Sequence, residues 1–231
     1  MTQNLDRSII AQWLIDNYGF NTYMEIGVEH GHIFFPVKAK RKIAVDPIFR
    51  FNWRQKLKMA FKYPQNFNAS YFQKESDRFF AKYVTKALRG KPLDICLVDG
   101  MHEYAFALRD VENCLQYMPD NGVIIMHDCN PKSREASYTW KEYRDNNYSG
   151  DWNGDVWKTI MHLRSTRQDI NVFVLDCDHG LGIITKGKQE KPLSFTPAQI
   201  EQLTYEEFAA NRQEWLNMKP ESYFHEYFKV K

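Results

Sequence analysis

Acidic residues stand at or just beyond the ends of four short apolar runs, where they could do chemistry. They are Glu25 in TYMEIGV, Asp46 in KIAVDP, Asp99 in LVDGMHEY and Asp128 in MHDCNP. Two carboxylates brought together in a half-buried site repel each other unless a cation or a proton separates them. Asp99 and Asp128, with the nearby amide of Asn130, form an oxygen-rich set that suits a hard divalent ion such as Mg²⁺, with manganese and iron left open.

Two histidines flank the same carboxylates. His102 lies three residues beyond Asp99, so we expect it above the same rim as a general base. A structural role for this histidine is the competing interpretation. His127 directly precedes Asp128, and strand alternation predicts that its side chain points to the opposite side.

A turn with two glycines, Gly27 and Gly31, follows the first apolar run. Glycines there allow a tight turn and a close approach of a ligand to the backbone. Glu29 stands where G-x-G-x-x-G has its middle glycine, and an acidic side chain there disfavours the pyrophosphate of NAD or FAD. A ligand with an ammonium group and a sulfonium-linked nucleoside fits better. Asp46, about 20 residues further on, could accept hydrogen bonds from both ribose hydroxyls, although Asp before Pro is also typical of a turn.

The elements that position these residues follow from short apolar runs alternating with stretches long enough for helices. The runs TYMEIGV, KIAVD, NFNASYF, LDICLVD and GVIIMHD predict a parallel sheet with helices on both faces. A crossover helix is predicted with Ala105, Leu108, Val111 and Leu115 on one face. INVFVLD and LGIITK follow so closely on each other that they predict an antiparallel hairpin. The fold class is therefore α/β, a Rossmann-like, doubly wound, mostly parallel sheet of seven strands.

Two later segments are less informative. The loop YSGDWNGDVWK carries Trp152 and Trp157, which could cover a site and stack on sugar rings, but its pattern alone favours an ordinary loop. The tail has an N-cap followed by Pro in TPAQI, which predicts one or two helices ending in an aromatic cluster. That cluster contains Tyr223, Phe224, Tyr227 and Phe228.

Composition limits the class of protein. The chain has 231 residues, with 31 Lys and Arg against 29 Asp and Glu, a net charge of +2, and 43% hydrophobic residues. These values exclude a disordered chain and a dominant basic nucleic-acid footprint. No apolar run approaches the roughly 20 residues of a membrane-spanning helix, and MTQNLDRSII lacks the layout of a signal peptide. The expectation is a cytoplasmic protein with no membrane span and no nucleic-acid partner.

The chain resembles class I S-adenosylmethionine-dependent methyltransferases of the small D-G-x-H type associated with glycan and polysaccharide biosynthesis. The resemblance rests on EIGVEHGH, IAVDP, YFQKESDRFF, LDICLVDGMHEY with Asp110, GVIIMHDCNP, WNGDVWK and NVFVLDCDHGLGIITKG, and covers about residues 20–187. It implies a methyltransferase-like domain over residues 1–187 and a helical extension over 188–231 packed on it. It further implies O-methylation of a sugar, glycan or other hydroxylated small molecule. An amine acceptor and a homodimer are left open.

The resemblance also implies residue roles. Glu25, Gly27 and Gly31 would line the methionine end of the cofactor, Asp46 the ribose, and Ser76 and Asp77 the adenine, with Asp99 also at the cofactor. His102 and Asp99 would be catalytic. Asp99 and Asp128 match the metal-binding acids of metal-dependent O-methyltransferases. Cys129 departs from the Asn or Asp of those enzymes, so either Asn130 is the third ligand or no metal is bound.

Three rival functions stay open on the sequence. A nicotinamide oxidoreductase would use the same sheet, although Glu29 argues against it. A metal-dependent hydroxylase of related fold would share the carboxylate pattern. A non-catalytic protein that binds the cofactor or a glycan would show ordinary cofactor affinity without turnover.

Overall fold

One mixed sheet organises the computed structural model, which describes residues 5–229. The sheet order is β3-β2-β1-β4-β5-β7-β6-β8, and the order reverses between β1 and β4. The first five strands pair in parallel, whereas β7 runs antiparallel to both β5 and β6. The strands are β1 (Thr22–Ile26), β2 (Arg41–Asp46), β3 (Ala69–Gln73), β4 (Ile95–Val98), β5 (Val123–Met126), β6 (Ile170–Leu175), β7 (Leu181–Lys186) and β8 (Met218–Lys219).

Ten helices among the described residues cover the sheet. They are α1 (Arg7–Tyr18), α2 (Trp53–Lys62), α3 (Ser76–Lys82), α4 (Val84–Leu88), α5 (Tyr104–Leu115), α6 (Trp140–Asp145), α7 (Trp157–Thr166), α8 (Pro197–Gln202), α9 (Tyr205–Trp215) and α10 (Tyr223–Tyr227). The first begins where the Asp6 carboxylate accepts the amide hydrogens of Ser8 and Ile9, and it ends at Gly19 with a φ of 66°.

The two faces of the sheet lie in separate apolar clusters. Met24, Cys96 and Ile124 point to one face, where α5 and α7 pack. Their sequence neighbours point to the other face, toward α1 and α10. Because successive strand residues alternate between faces, a sheet buried on both sides requires apolar residues at nearly every position. This confirms the predicted doubly wound, mostly parallel architecture with its antiparallel hairpin.

The sheet has eight strands, so the prediction of seven was wrong. The eighth, β8, is a two-residue strand in the tail that pairs in parallel with β6, Met218 opposite Val174. It follows Asn217, whose φ of 47° turns the chain. Two residues are too few to show a period of hydrophobicity in the sequence.

The predicted buried face of α5 is wrong at one of its four residues. Val111 and Leu115 are buried and Leu108 is partly buried against the core, as predicted. Ala105 is exposed, and the buried face extends instead to a second row with Tyr104, Ala107 and Cys114. Both rows have helical spacing and apolar members, so periodicity alone could not separate them.

The tail packs on the same sheet through three helices rather than one or two. Phe208 stacks on Trp157 with ring centroids 4.4 Å apart, and Phe224 lies 5.1 Å from Trp13. The division into a domain of residues 1–187 and an extension of residues 188–231 remains a prediction. Residues 1–4 and 230–231 of these two ranges lie outside the described residues. Over residues 5–229, every helix falls short of the length and apolar character needed to cross a membrane.

Candidate functional site

A cleft of about 700 Å³ opens at the carboxyl ends of β1, β2 and β4, where the strand order reverses. Its volume lies within the range of small-molecule sites, and open α/β sheets bind ligands at this position. Of the predicted site residues, Gly31 and Asn130 are not among those that line it. The others line the cleft: Glu25, Gly27, Asp46, Ser76, Asp77, Asp99, His102 and Asp128.

Gly27 sits where the turn after β1 crosses the end of β4. Its φ is 85°, and an added Cβ would lie 1.9 Å from the carbonyl oxygen of Asp99. No side chain fits there. Gly31 has a φ of 77°, and its Cβ would meet the ring of Phe35 at 2.4 Å, so this glycine shapes the turn from outside the cleft.

Asp46 holds the same turn through its carboxylate. Oδ2 accepts the amide hydrogens of Val28 at 2.7 Å and Glu29 at 2.8 Å, and Oδ1 accepts that of Ile48 at 2.7 Å. A carboxylate has about four acceptor positions. Asp46 therefore does stabilise a turn, and about one acceptor position of its carboxylate is left for a ribose hydroxyl.

Glu25 lies at the floor of the cleft and is 2% exposed. The Tyr23 hydroxyl donates a hydrogen bond to its carboxylate. Burial raises the pKa of Glu25 to about 8, against the effect of that hydrogen bond. An ammonium group bound beside Glu25 would favour its charged form, so ligand and carboxylate would stabilise each other.

The two predicted carboxylates meet at a pair of histidines. His127 Nδ1 lies 3.1 Å from Asp99 Oδ1 and 2.9 Å from Asp128 Oδ2. His102 Nε2 lies 3.5 Å from the same Asp99 oxygen and 3.3 Å from the same Asp128 oxygen. Two imidazole nitrogens thus face one pair of carboxylate oxygens, which supplies the positive charge that the pair requires.

The contacts of His102 fix which of its nitrogens can exchange a proton. Nδ1 lies 2.8 Å from the carbonyl oxygen of Trp152, which can only accept, so Nδ1 carries a hydrogen. Burial disfavours the charged ring, but the Asp99 and Asp128 carboxylates outweigh it and raise the pKa of His102 to about 9. His102 therefore gains and loses its exchangeable proton at Nε2, which faces the carboxylates.

Several functional side chains were missed from the sequence. His127 points into the site and not away from it, because β5 ends at Met126 and strand alternation does not extend past that residue. Arg7 reaches in from α1, with NH1 2.8 Å from Asp178 Oδ1 and Nε 3.4 Å from Asp99 Oδ2. Only tertiary structure brings these segments together, so no local pattern could have identified Arg7.

Trp152 also belongs to the site, against the preference for an ordinary loop. It lines the cleft, and its ring stacks on His102 with centroids 5.1 Å apart. Trp157, by contrast, is buried and stacks on Phe208. Trp157 is the first residue of α7 and not part of a loop, and its burial agrees with a packing role.

Asn130 is held away from the carboxylate pair. Its Nδ2 donates to Asp176 Oδ1 at 3.1 Å, and its Oδ1 accepts from Arg212 at 2.9 Å. The structure therefore does not place Asn130 as the third ligand. Instead, Asp99, His102 and Asp128 each offer a potential ligand atom, all within 4.8 Å of one another.

The far end of the cleft carries a buried carboxyl. Ser76 and Asp77 begin α3 there, and Asp77 pairs with Arg109 at 3.1 Å. Asp110 of α5 is 3% exposed and lines the cleft, and its Oδ1 has no hydrogen-bond partner among the described residues. Burial raises the pKa of Asp110 to about 7, although a hydrogen bond with Ser76 opposes this. Asp110 is thus a polar group available to a ligand.

A family comparison covers the region that builds this cleft. Residues 24–129 match the sequence profile of a family described as a methyltransferase domain. This match runs from β1 to just past Asp128, somewhat less than half of the chain, and it agrees with the resemblance to methyltransferases over that stretch. No curated protein matches the chain.

Solved methyltransferases share the fold. An O-methyltransferase from Bacillus cereus in complex with SAH is 12% identical, with a TM-score of 0.55 over 81% of this chain and 84% of that one. The SAH-bound Podospora anserina methyltransferase PaMTH1 is 15% identical, with a TM-score of 0.55 over 79% and 78%. The O-methyltransferase TomG from Streptomyces achromogenes, in complex with SAM, is 10% identical, with a TM-score of 0.55 over 78% of each chain. The expected methyltransferase fold is confirmed.

Proposed function

We propose that this protein is an S-adenosylmethionine-dependent O-methyltransferase whose acceptor is a sugar or another hydroxylated molecule of glycan biosynthesis. The methyltransferase domain match and the shared fold support the reaction class. One observation carries the proposal: a histidine held by two carboxylates faces the same cleft as the glycine turn. A group-transfer cofactor and a proton acceptor would then share one space.

The residues around the cleft fit the parts of this cofactor. S-adenosylmethionine supplies a methyl group already activated on a sulfonium. Gly27 leaves the backbone open to close approach, and Glu25 lies where an ammonium group would favour its charged form. Asp46 keeps an acceptor position for a ribose hydroxyl. Ser76 and Asp110 offer polar atoms for the adenine.

We assign His102 as the base that takes the proton from the acceptor hydroxyl. An acceptor hydroxyl has to lose its proton as its oxygen takes the methyl group, and a positioned base typically contributes about 10²–10⁴ in rate. The Trp152 carbonyl fixes the ring with Nε2 toward the carboxylates. Asp99 and Asp128 stabilise the imidazolium that forms, and because they raise the pKa of His102 to about 9, His102 acts as base in its neutral fraction, which grows as the pH rises toward 9.

Aromatic side chains beside His102 support a sugar as the acceptor. Trp152 has its ring centroid 5.4 Å from that of Trp140 and 5.0 Å from that of Tyr143. Trp140 is 39% exposed. Amphipathic rings with one face open to solvent can pack on the apolar faces of sugar rings.

A divalent ion is a second part of the proposal. Asp99, His102 and Asp128 would hold it, and it would lower the pKa of the acceptor hydroxyl. An imidazole among the ligands suits Mn²⁺ or Fe²⁺ better than Mg²⁺, which prefers oxygen. His102 cannot act as base while Nε2 binds a metal, so the metal-assisted and base-assisted routes exclude each other.

The test is transfer of a labelled methyl group from S-adenosylmethionine to a panel of nucleotide sugars and oligosaccharides. We expect transfer to at least one acceptor, and a loss of about 10²-fold or more in His102→Gln. Loss of activity on chelation, restored by Mn²⁺, would select the metal-assisted route. Absence of transfer to every hydroxylated acceptor, with oxygen-dependent conversion of one of them, would replace this proposal by a hydroxylase.

A further inference from the structure

The charge of the chain is unevenly distributed. Residues 47–74 contain six Lys and Arg and no Asp or Glu. Subtracting these six from 31 leaves 25 Lys and Arg for the rest of the chain, which holds all 29 Asp and Glu. The small net charge of +2 therefore conceals a cationic segment attached to an anionic remainder, an asymmetry that bears on partners.

The same segment holds most of the exposed apolar side chains. Seven large hydrophobic side chains are exposed in the described part, and five of them lie between residues 48 and 67. Trp53, Leu57 and Phe61 follow each other four residues apart on α2, so they form one row along the helix. Trp53 is 67% and Phe61 72% exposed, and Phe67 extends the row, its ring centroid 5.6 Å from that of Phe61.

A row of cations runs beside this apolar row. Arg54, Lys58 and Lys62 each follow one member of the apolar row by one residue, which places them on the adjacent flank of α2. All three are exposed, and within residues 5–229 they form no ion pair. Their charges are free to meet an anionic surface.

We propose that this face of α2 docks on an anionic membrane surface. A helix with Trp, Leu and Phe on one side and Lys and Arg beside them can lie in the plane of a bilayer interface. The apolar row would enter the boundary between headgroups and acyl chains, and the cation row would meet the lipid phosphates. This inference does not depend on the methyltransferase reaction.

Charge and shape favour a membrane over two other occupants. A second copy would bring one acid-free cationic face against another, and like charges repel. A single-stranded nucleic acid would meet the cations, and its bases could stack on Trp53 and Phe61. Leu57 and Ile48 are aliphatic, however, and offer bases no such stacking face, whereas they suit hydrocarbon.

The experiment is co-sedimentation of the full chain with lipid vesicles. We expect binding to phosphatidylcholine vesicles that contain about 30% phosphatidylserine, at least tenfold stronger than to pure phosphatidylcholine. Raising the salt from about 0.1 M to about 0.5 M should weaken it several-fold, since added salt screens the lipid charges. Equal binding to both kinds of vesicle, or none to either, would overturn the proposal.

Paired variants identify the face. Trp53→Ser/Phe61→Ser and Arg54→Glu/Lys58→Glu should each reduce vesicle binding at least tenfold. Lys188→Glu/Lys229→Glu makes the same change in charge at exposed positions outside the segment, and it should reduce binding less than threefold. Thermal unfolding would check that all variants keep their fold. Two other results, each without vesicle binding by the wild type, would overturn the proposal. One is a wild-type dimer that Trp53→Ser/Phe61→Ser disrupts. The other is wild-type binding of single-stranded RNA that Arg54→Glu/Lys58→Glu abolishes.

Discussion

Two clefts lie at opposite ends of the same sheet and enclose nearly the same volume. The first, at the carboxyl ends of the strands, measures about 700 Å³, and the second, at their amino ends, about 640 Å³. In the second, the Asp94 carboxylate accepts the amide hydrogens of Asn21 at 2.8 Å and Thr22 at 2.9 Å. In the first, Asp128 faces His102 and Asp99 faces His127, so each carboxylate meets a histidine from another segment.

Two clefts of similar volume thus differ in their chemistry, so volume alone does not mark a functional site. In the second cleft a carboxylate stabilises the turn into the strand beside it. In the first, carboxyl groups with shifted pKa values converge from several elements, and one oxygen of Asp110 has no hydrogen-bond partner within residues 5–229. Such convergence in a cleft is typical of functional sites.

The largest expected difference between the clefts is in catalysis. His102→Gln should lower kcat for methyl transfer by about 10²–10³-fold, because the base is lost. The dissociation constant for S-adenosylhomocysteine should stay within about threefold, since the proposed role of His102 is toward the acceptor and not toward the cofactor. Arg41→Gln in the second cleft is the matched control and should keep wild-type kcat. A nearly normal kcat in His102→Gln would show that His102 is not the base.

Two glycines with similar φ angles allow a paired test of ligand binding in the first cleft. Gly27 and Gly90 have φ values of 85° and 70°, but an added Cβ meets Asp99 at the first and nothing within 4 Å at the second. Gly27→Ala should weaken S-adenosylhomocysteine binding at least tenfold, because the turn and the end of β4 must move apart. Gly90→Ala should cost about 1 kcal/mol of stability and leave binding unchanged. Calorimetry and urea unfolding of both variants test this, and equal losses of affinity would contradict it.

The buried Asp110 carboxyl predicts a pH-dependent stability. Its pKa is raised to about 7 by burial, whereas the unfolded carboxyl titrates near about 4. The folded state holds the proton more tightly, so the wild type loses stability as pH rises from about 4 to about 7. Asp110→Asn does not titrate and should be more stable than wild type by about 3–4 kcal/mol at about pH 8 and equal to it near pH 4. Urea unfolding at the two pH values measures this, and a constant difference would refute it.

The smallest effect is expected at the carboxylate of the second cleft. Asp94→Asn keeps one acceptor oxygen for the amides of Asn21 and Thr22 but loses its charge, so we expect a cost of about 0.5–1 kcal/mol. Binding of S-adenosylhomocysteine should not change. A loss of binding in Asp94→Asn would mean that the two clefts are coupled.

The sequence predicted the first cleft well because strands buried on both faces appear as unbroken apolar runs. The residues that end those runs must then converge at one rim, which placed Asp99, His102 and Asp128 together. The eighth strand could not be predicted, since two residues show no period. The exposure of Ala105 at the start of α5 could not be predicted for the opposite reason, because two apolar rows fit.

The rest of the site depends on chain reversals that leave no local pattern. Asp128 has a φ of 61°, and the amide of Asn130 then donates to the carbonyl of His179 at 2.9 Å. This turns the Asn130 side chain toward Arg212 and away from the carboxylates. Arg7 enters the site only because α1 packs beside the strand ends. Such contacts are set by tertiary packing and not by spacing.

Binding of S-adenosylmethionine in the carboxyl-end cleft can be measured by calorimetric titration with S-adenosylhomocysteine. The wild type and the two glycine variants would be titrated with and without Mn²⁺. We predict micromolar binding to the wild type and Gly90→Ala, and at least tenfold weaker binding to Gly27→Ala. No binding by the folded wild type in either condition would contradict the account.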